Sequence, residues 1–457
     1  MRTGGAIRDI SRVSGANNQT QRIQGKRGGR EMTGAVSTSD TAVGSVRSTA
    51  LSHVRICDLT GLLAGAGATR FLAAFGAQVI RVEEPLTDKP RWDFLRGGRT
   101  PDGRQGINLG GNFNNHNVEK LGVTLDLKSE RGKELLSQLI EVSDVVTENF
   151  SAHVMERLGF GWDRLHEIND RIIYVSNSGF GKTGPYSNFK SVGQVVQACS
   201  GLSFNSGLPD MPPAGWGFAY MDHLGAYLMA TAVLSGLVAR NRTGKGQWID
   251  FACVEAGIGL AGPELLDAIV NGRPMRRNGR PNSNTENFPS MVPHGVYAAA
   301  GDDSWVAIAC RDDDDWHRLA EIVGESWALD PQLTTFAGRQ ARREDIDRRL
   351  EEWTTRQERS KTEDVLRKAG VPVAQVAMPE DRIEHDPRTS EWNLWPKVHH
   401  EEIGDTRVEG IPIHLSETDW SIAHGGPCLG ADNDYVYGEL LGLCDDEIAE
   451  LRAQGVI

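Results

Sequence analysis

The chain has 457 residues, 39% hydrophobic and 24% charged, and this length can bury a sizeable core divided into about two or three domains. Its formal net charge of -13 argues against a nucleic-acid partner, because binding to phosphates needs a basic surface. Six scattered cysteines without a CxxC pair argue against a disulfide scaffold or a zinc site, and no apolar run reaches the about 20 residues that a membrane helix needs.

The first fifty residues differ from the rest of the chain. They are rich in Gly, Ser, Thr and Arg and poor in acidic and aromatic residues. Such a segment cannot bury enough apolar surface to offset the entropy of ordering it, so we expect residues 1–50 to be a disordered extension. Two alternatives are a mitochondrial transit peptide over residues 1–31 and a start codon assigned too early, with Met32 as the true start. We expect a cytoplasmic protein, or a mitochondrial one if residues 1–31 are a transit peptide.

Short apolar runs alternate with helical patterns from Val54 onward. This alternation predicts an α/β fold with a doubly wound, Rossmann-like parallel sheet covered by helices. Strands are predicted at 54–59, 77–83, 123–127, 144–146, 171–176 and 247–251, and helices at 129–140, 155–168 and 220–240.

The second half of the chain has a different organisation. Residues 271–293 carry arginines, asparagines and prolines with little periodicity, which is typical of a functional loop. Beyond that loop the pattern predicts strands at 295–299, 305–309, 371–377 and 408–413, and helices within 316–322, 340–368 and 434–451.

Several short motifs resemble cofactor or metal sites only in part. Gly65-Ala66-Gly67 supplies two glycines of a dinucleotide motif, but Arg70 stands at the third position, so only a general anion-binding helix N-terminus is predicted. The four acids 312–315 lack the spacing of a calcium loop and are expected to begin a helix. We predict no metal site.

Asp222 lies between two glycine-rich segments, 178–201 and 243–247. This arrangement indicates a carboxylate at a pocket lined by backbone, where carboxylates serve as nucleophiles or bases. The simpler alternative is a helix cap or a solvated turn residue.

Eight segments in order carry a resemblance to a known family. They are Asp58-Leu59-Thr60, residues 75–83, residues 125–128, Glu148-Asn149-Phe150, residues 157–160, residues 178–181, residues 243–247 and His385-Asp386-Pro387. From Val54 to the C-terminus the chain resembles the class III CoA-transferase family, which includes formyl-CoA transferase and carnitine CoA-transferase.

The resemblance implies a reaction and its nucleophile. The family's catalytic aspartate stands just over twenty residues after a Ser-Gly pair, and here Asp222 follows Ser200-Gly201 at that distance. CoA would then move from an acyl-CoA donor, for which succinyl-CoA is a common choice, to a carboxylic acid through an aspartyl-CoA thioester. The resemblance implies CoA as substrate and no permanently bound cofactor. Trp216, Phe218 and Tyr220 suggest a bulky or aromatic acceptor acid, although core packing explains them equally well.

The resemblance also implies a binding site and an architecture. A large CoA-binding domain (51–270 plus 390–457) would carry a smaller inserted α+β domain (271–389), and two chains would interlock as a homodimer. Residues 276–287 would correspond to the family's flap over the active site. The implied CoA contacts are Leu63, Ala64, Leu125, Asn149, Phe150, Arg157 and Lys190.

The chain departs from the family pattern at several positions. Leu63 stands where formyl-CoA transferase has a glutamine, which argues against formyl-CoA as the substrate. Glu84 stands where the family often has an arginine, so Arg81 or Arg91 would have to bind the adenosine phosphate. The same fold serves α-methylacyl-CoA racemases, but the stretch 191–193 here lacks their histidine, which is the second base that a racemase needs. The alternatives are therefore a racemase or isomerase, and a non-catalytic subunit of a heteromeric transferase.

Overall fold

The computed structural model describes residues 50–85, 96–204, 206, 212–273 and 291–457. The predicted extension, apart from residue 50, lies outside the described residues, as do Arg91 and the predicted flap 276–287.

A six-stranded parallel sheet forms the centre of the fold, in the order β5-β2-β1-β6-β7-β8. This confirms the α/β fold with a parallel sheet. The strands of the first half of the chain are β1 (Arg55–Asp58), β2 (Gln78–Glu83), the short pair β3 (Gly98–Arg99) and β4 (Gln105–Gly106), β5 (Leu121–Thr124), β6 (Val145–Glu148), β7 (Ile173–Ser178) and β8 (Gln247–Ala252).

Helices connect these strands. They are α1 (Ala64–Ala74), α2 (Gly111–His116), α3 (Glu130–Glu141), α4 (Val154–Leu158), α5 (Trp162–Ile168), α6 (Gly193–Cys199), α7 (Tyr220–Thr243), α8 (Cys253–Leu260) and α9 (Gly262–Asn271). The single helix predicted over 155–168 is two helices, because Gly159 adopts the left-handed conformation (φ 89°) and ends α4.

The strand order indicates which edge of the sheet is suited to bind a ligand. The chain builds β2 and β5 on one side of β1 and then returns to build β6 on the other side. The connections that follow the neighbouring strands β1 and β6 therefore leave the carboxyl edge of the sheet in opposite directions. Open α/β sheets bind ligands at such a switch point.

Helix α7 packs against α1 and the sheet. Its residues Ala226, Met229 and Val233 are buried in the same apolar cluster as Leu72 of α1. Gly67 permits this close packing, because a Cβ there would lie 3.0 Å from the Cβ of Ala226. By length and composition alone α7 would be long and apolar enough to cross a membrane, and its packing in the core accounts for the same composition.

A second sheet with its own core lies within the segment predicted as the small domain. Its strands β9 (His294–Ala298), β10 (Trp305–Ala309) and β11 (Val373–Gln375) are antiparallel. They pack with α10 (Asp313–Val323), α11 (Phe336–Ala341), α12 (Arg343–Thr354) and α13 (Arg359–Lys368) around Trp316 and Leu350. The acids 312–315 begin α10, as expected, and Asp312 caps it.

The C-terminal part returns to the main sheet. It contains α14 (Pro387–Glu391), the hairpin β12 (Lys397–His400) and β13 (Gly404–Arg407), a π-helical turn (Asp434–Leu440) and α15 (Asp445–Ala453). The strand predicted at 408–413 is wrong, because that stretch is irregular. Its residues Val408 and Ile411 are apolar because they pack on Phe75 at the end of α1.

A buried ion pair ties the elements around the carboxyl end of β1. Lys120 Nζ lies 3.2 Å from Asp58 Oδ2 and donates to the carbonyl of Ala66 in α1 (2.9 Å). Asp58 also accepts hydrogen bonds from the hydroxyl groups of Thr69 and Thr147. Burial lowers the pKa of Lys120 to about 8 against the attraction of Asp58. Burial alone would raise the pKa of Asp58, but Lys120 and other nearby groups hold it below the usual value.

Replacing Lys120 by methionine leaves the Asp58 carboxylate buried without its cation. We expect Lys120→Met to lower the free energy of unfolding by about 3–5 kcal/mol in urea titrations. The matched control is Lys361→Met on α13, where both partners of the ion pair with Glu358 are exposed to solvent, and it should leave the free energy of unfolding nearly unchanged. Equal losses in the two variants would contradict a special role for the buried pair.

Candidate active site

Asp222 lies in the first turn of α7, with its carboxylate against the start of α6. A Cβ placed on Gly193, the first residue of α6, would lie 2.5 Å from Asp222 Oδ2 and 2.9 Å from its Cγ. No real Cβ contact is that short, so any other residue at 193 would displace the carboxylate. Gly193 therefore fixes the space in which Asp222 sits.

The Asp222 carboxylate is half-buried and lacks a side-chain partner within the described parts of the chain. Burial raises its pKa above the usual carboxyl value, while the neighbouring His223 lowers it in part. A carboxylate that no side-chain donor stabilises keeps its electron pairs for reaction, and a raised pKa makes it a better nucleophile and base.

A cavity of about 130 Å³ adjoins this carboxylate. Its lining consists of small, apolar and neutral polar side chains: Leu62, Ala64, Asn149, Asn177, Ser178, Gly179, Ser191, Val192, Gly193, Val196, Met221, Asp222 and Cys253. Ser178 Oγ is buried and has no hydrogen-bond partner among the residues that the structure describes. The site thus offers a free hydroxyl group beside the carboxylate.

Cys253 is the second potential nucleophile in this cavity. Its thiol donates to Asn177 Oδ1 (3.1 Å) and packs on α7, where a Cβ on Gly225 would lie 2.9 Å from the sulfur. Burial, followed by the charge of Asp222, raises the pKa of Cys253 to about 12. The thiol is therefore neutral at physiological pH.

A larger cavity of about 460 Å³ lies at the carboxyl ends of β1, β2 and β5 and beside the loop after β6. Leu62 lines this cavity as well as the Asp222 cavity, so the two meet at the β1–α1 loop. The larger cavity is lined by Leu59, Thr60, Gly61, Leu62, Arg81, Val82, Glu83, Glu84, Leu125, Asp126, Leu127, Lys128, Phe150, Val154 and Leu158. Together they form a bent cleft at the switch point of the sheet.

Hydrogen bonds fix the turn after β6, which lies between the two cavities. Asn149 accepts from the backbone N–H of Gly61 (2.7 Å) and donates to its carbonyl (2.8 Å). Lys182 Nζ lies 3.0 Å from Glu148 Oε1 and donates to the carbonyl of Phe150 (2.8 Å). Phe150 N–H in turn donates to Glu148 (2.8 Å). The turn is thereby held in one conformation.

Four of the seven predicted CoA contacts line these cavities. Ala64 and Asn149 line the Asp222 cavity, and Leu125 and Phe150 line the larger one. The amide of Asn149 is already used to hold Gly61, so its first role is to position the β1–α1 loop.

The other three predicted contacts lie nearby but line neither cavity. Leu63 precedes α1 as its N-cap residue. Arg157 is exposed on α4, whose residues Val154 and Leu158 line the larger cavity. Lys190 is exposed and directly precedes Ser191 of the Asp222 cavity. All seven stay predictions as CoA contacts.

The structure also shows the surroundings of Glu84, where the sequence departs from the family pattern. Arg81, the predicted substitute, is buried, donates to the carbonyl of Thr60 and lies 3.7 Å from Glu83. Lys128 pairs with Glu84 (2.6 Å) and is mostly exposed at the larger cavity. The sequence did not lead us to predict Lys128, Lys182 or Gly193 as residues of the site. Lys128 belongs to the segment 125–128, one of those that carry the family resemblance, and this was the signal that could have identified it.

The chain is similar to known proteins in sequence and in fold. Residues 51–433 match the family described as CoA-transferase family III. Succinyl-CoA–D-citramalate CoA-transferase of Chloroflexus aurantiacus is 30% identical over 408 residues, which cover 89% of this chain and 98% of the relative. Formyl-CoA:oxalate CoA-transferase of Streptomyces coelicolor is 32% identical over 422 residues and covers 89% of this chain and 99% of the relative.

A solved structure is similar as well. The crystal structure of a CAIB/BAIF family protein from Brucella suis has a TM-score of 0.76 and 27% sequence identity, and covers 86% of this chain and 100% of its own. Within the described ranges, no group of three or more His, Cys, Asp or Glu residues is placed to hold a metal ion.

Proposed function

The chain belongs to CoA-transferase family III, and we propose that it exchanges CoA between an acyl-CoA and a carboxylic acid through Asp222. One observation carries the proposal. A half-buried carboxylate without a side-chain hydrogen-bond partner among the described residues lines a small cavity, and this cavity shares Leu62 with a larger cavity at the switch point of the sheet.

The larger cavity supports binding of the nucleotide end of CoA. Leu125 and Phe150 offer apolar surface to the adenine, while Lys128 offers a cation to a phosphate. From there the pantetheine arm would follow Leu62 into the Asp222 cavity, which brings the thioester to the carboxylate. Leu63, Arg157 and Lys190 are the three predicted contacts outside these two cavities.

The first half of the proposed reaction loads the enzyme with CoA. An Asp222 oxygen attacks the donor thioester carbonyl, the C–S bond breaks, and CoA leaves as a thiolate, which gives a mixed anhydride. The thiolate then attacks the Asp222 carbonyl carbon of the anhydride and releases the donor acid as its carboxylate. An aspartyl-CoA thioester remains. Two moderate steps thus replace one difficult exchange.

The second half returns CoA to the acceptor. The acceptor carboxylate attacks the aspartyl thioester and expels the CoA thiolate, which forms a second mixed anhydride. The thiolate attacks the acyl carbonyl of the acceptor, and Asp222 leaves as a free carboxylate. The backbone N–H groups of Gly193 and Gln194, in the first turn of α6 without a side-chain cap, are candidates to stabilise the oxyanions.

The lining of the Asp222 cavity favours transfer over racemisation. A racemase needs one group to remove a proton and another to return it. No histidine stands among the described residues that line this cavity, and Cys253 is held neutral by its raised pKa of about 12. Asp222 alone therefore fits a nucleophile better than half of an acid–base pair.

The proposal extends to assembly, with residues 271–389 as an inserted domain and two chains interlocked as a homodimer. Helix α9 supports a dimer, because none of its residues is buried and its apolar side chains face outward. Ile269 is 70% exposed and Val270 73% exposed. Neighbouring apolar side chains of this size normally mark an interface.

Covalent trapping tests the proposed function. The purified protein is incubated with a panel of acyl-CoAs that includes succinyl-CoA, quenched with hydroxylamine or borohydride, and mapped by mass spectrometry. We expect modification at Asp222, and Asp222→Ala should lose the adduct and at least about 10³-fold of the transferase rate. Solvent deuterium entering the α-carbon of an acyl-CoA without an adduct would instead indicate an isomerase, and an inactive purified chain would indicate a partner subunit.

Gly193→Ala tests the position of the carboxylate. The added methyl group would meet Asp222 Oδ2 at 2.5 Å, so the carboxylate must move from its present place. We expect kcat/KM for CoA transfer to fall by about 100-fold, which is typical of a misplacement of 1 Å in the reacting group. The control is Gly259→Ala on α8, where a Cβ would meet nothing within 4 Å, and its rate should match that of the unmodified chain.

The mass in solution tests the dimer. Light scattering should give a dimer for the unmodified chain, and an interlocked pair should stay dimeric on dilution. Ile269→Glu places a charge on the apolar face of α9 and should yield monomers or unfolded protein. Val365→Glu, at an apolar residue of α13 that is 50% exposed, is the matched control and should remain dimeric. A monomeric unmodified chain would contradict the proposal.

A further inference from the structure

The Asp222 cavity lacks a basic side chain in its described lining. Its thirteen lining residues include no arginine, lysine or histidine, and its polar groups are the neutral side chains of Asn149, Asn177, Ser178, Ser191 and Cys253. The only charge is the carboxylate of Asp222 itself. The cavity therefore has a negative electrostatic character.

This composition selects against a second negative charge on the substrate. A carboxylate leaving water for a confined site needs a cation or several hydrogen-bond donors to replace its hydration. The nearby Lys182 is already used, since it pairs with Glu148 and donates to the carbonyl of Phe150. A second carboxylate on the acid would meet Asp222 and no compensating cation in the described lining.

Exposed apolar side chains belong to the cavity lining or stand close to it in the sequence. Val192, which lines the cavity, is 57% exposed, so the cavity reaches the surface there. Before α7, Phe218 is 53% exposed, and its ring packs with that of Tyr220 (centroids 5.8 Å apart). Trp216 packs on Tyr220 at 4.6 Å. Tyr220 also packs against a small buried cluster that includes Met221, so core packing accounts for Tyr220 but not for the exposed rings of Trp216 and Phe218.

A second aromatic group stands close in the sequence to other residues that line the cavity. The rings of Phe180 and Phe189 lie 5.9 Å apart, and Tyr186 packs on Phe189 at 5.2 Å. Phe180 directly follows Gly179 and Phe189 stands two residues before Ser191, both of which line the Asp222 cavity. Exposed aromatic groups of this kind bind apolar ligands or partners.

We infer that the acids exchanged at Asp222 are monocarboxylic acids with an apolar, best an aromatic, body. The inference rests on the proposed function and specifies its substrate class. Donor acyl group and acceptor acid occupy the same cavity in turn, so the preference applies to both. It sets this chain apart from the two relatives described above, whose names specify the dicarboxylic acids citramalate and oxalate.

Competition between acceptors tests the inference on the full-length chain. Phenylacetate and 3-phenylpropanoate are compared with succinate and malate as acceptors, and phenylacetyl-CoA with succinyl-CoA as donors. We expect kcat/KM to be at least about tenfold higher for the aromatic monocarboxylates, a ratio that apolar pockets commonly reach. A higher kcat/KM for the dicarboxylates would overturn the inference.

A charge introduced at Val192 tests the physical reason. Val192→Arg places a guanidinium group at the mouth of the cavity, and the ratio of kcat/KM for succinate to that for phenylacetate should rise about tenfold. Val192→Gln has similar length without the charge and should leave the ratio unchanged. An equal change in both variants would overturn the electrostatic argument.

A second variant, Phe218→Ala, tests the inference even if Val192→Arg does not fold. Phe218→Ala should raise KM for phenylacetate by about tenfold and leave KM for acetate nearly unchanged, because acetate is too small to reach the rim. Light scattering on this variant should still give the mass of the unmodified chain. Dissociation with unchanged KM values would assign Phe218 to a subunit interface and overturn its substrate role.

Trapping separates this inference from the function on which it rests. If Asp222 forms an adduct but prefers dicarboxylic acyl groups, transfer stands and the substrate class is wrong. If no acyl-CoA modifies Asp222, the proposed function itself fails.

Discussion

The buried ion pair of Asp58 and Lys120 is the interaction on which the site depends. Asp58 ends β1, and its carboxylate joins Lys120 to hydroxyl groups from α1 and β6. Lys120 also holds the carbonyl of Ala66, in the first turn of α1. Removing two charges from water is costly. Here each charge also makes hydrogen bonds to several neighbours, so a conformation that left either charge buried without these partners would be much less stable. The β1–α1 loop that follows therefore has a fixed start and a fixed end.

A second buried pair extends this rigidity to the other wall of the cleft. Glu148 ends β6, as Asp58 ends the neighbouring β1, and it holds Lys182 and the N–H group of Phe150. Asn149 then bonds both backbone groups of Gly61 and so joins the loops after β1 and β6. A long, flexible ligand such as CoA loses much entropy when it binds, and a preformed cleft avoids the further loss of ordering its own walls.

The sequence allowed the parallel sheet to be predicted, but not the contacts that position Asp222, which stays a prediction as the reactive residue. Strand and helix alternation depends on local periodicity, whereas Asp222 was proposed from its spacing to Ser200-Gly201 in a family that the chain resembles. The contact between Gly193 and Asp222 joins two helices about thirty residues apart, and no local pattern reports it. Lys182 stands in a glycine-rich loop, where a lysine ordinarily faces solvent. The strand predicted at 408–413 was wrong because apolar residues that pack on another element give the same sequence pattern as a strand.

In the proposed reaction, the surroundings of Asp222 and Cys253 decide which of the two groups attacks the thioester. Thiols attack thioesters readily when ionised, and a competing thiolate here would divert the acyl group from the carboxylate. Burial and the charge of Asp222 raise the pKa of Cys253 to about 12, so the thiol stays protonated at physiological pH. Burial also raises the pKa of Asp222 above the usual carboxyl value, while His223 lowers it in part. The absence of a cation in the described lining thus has two effects. No ion pair occupies the Asp222 carboxylate, and no positive charge stabilises a Cys253 thiolate.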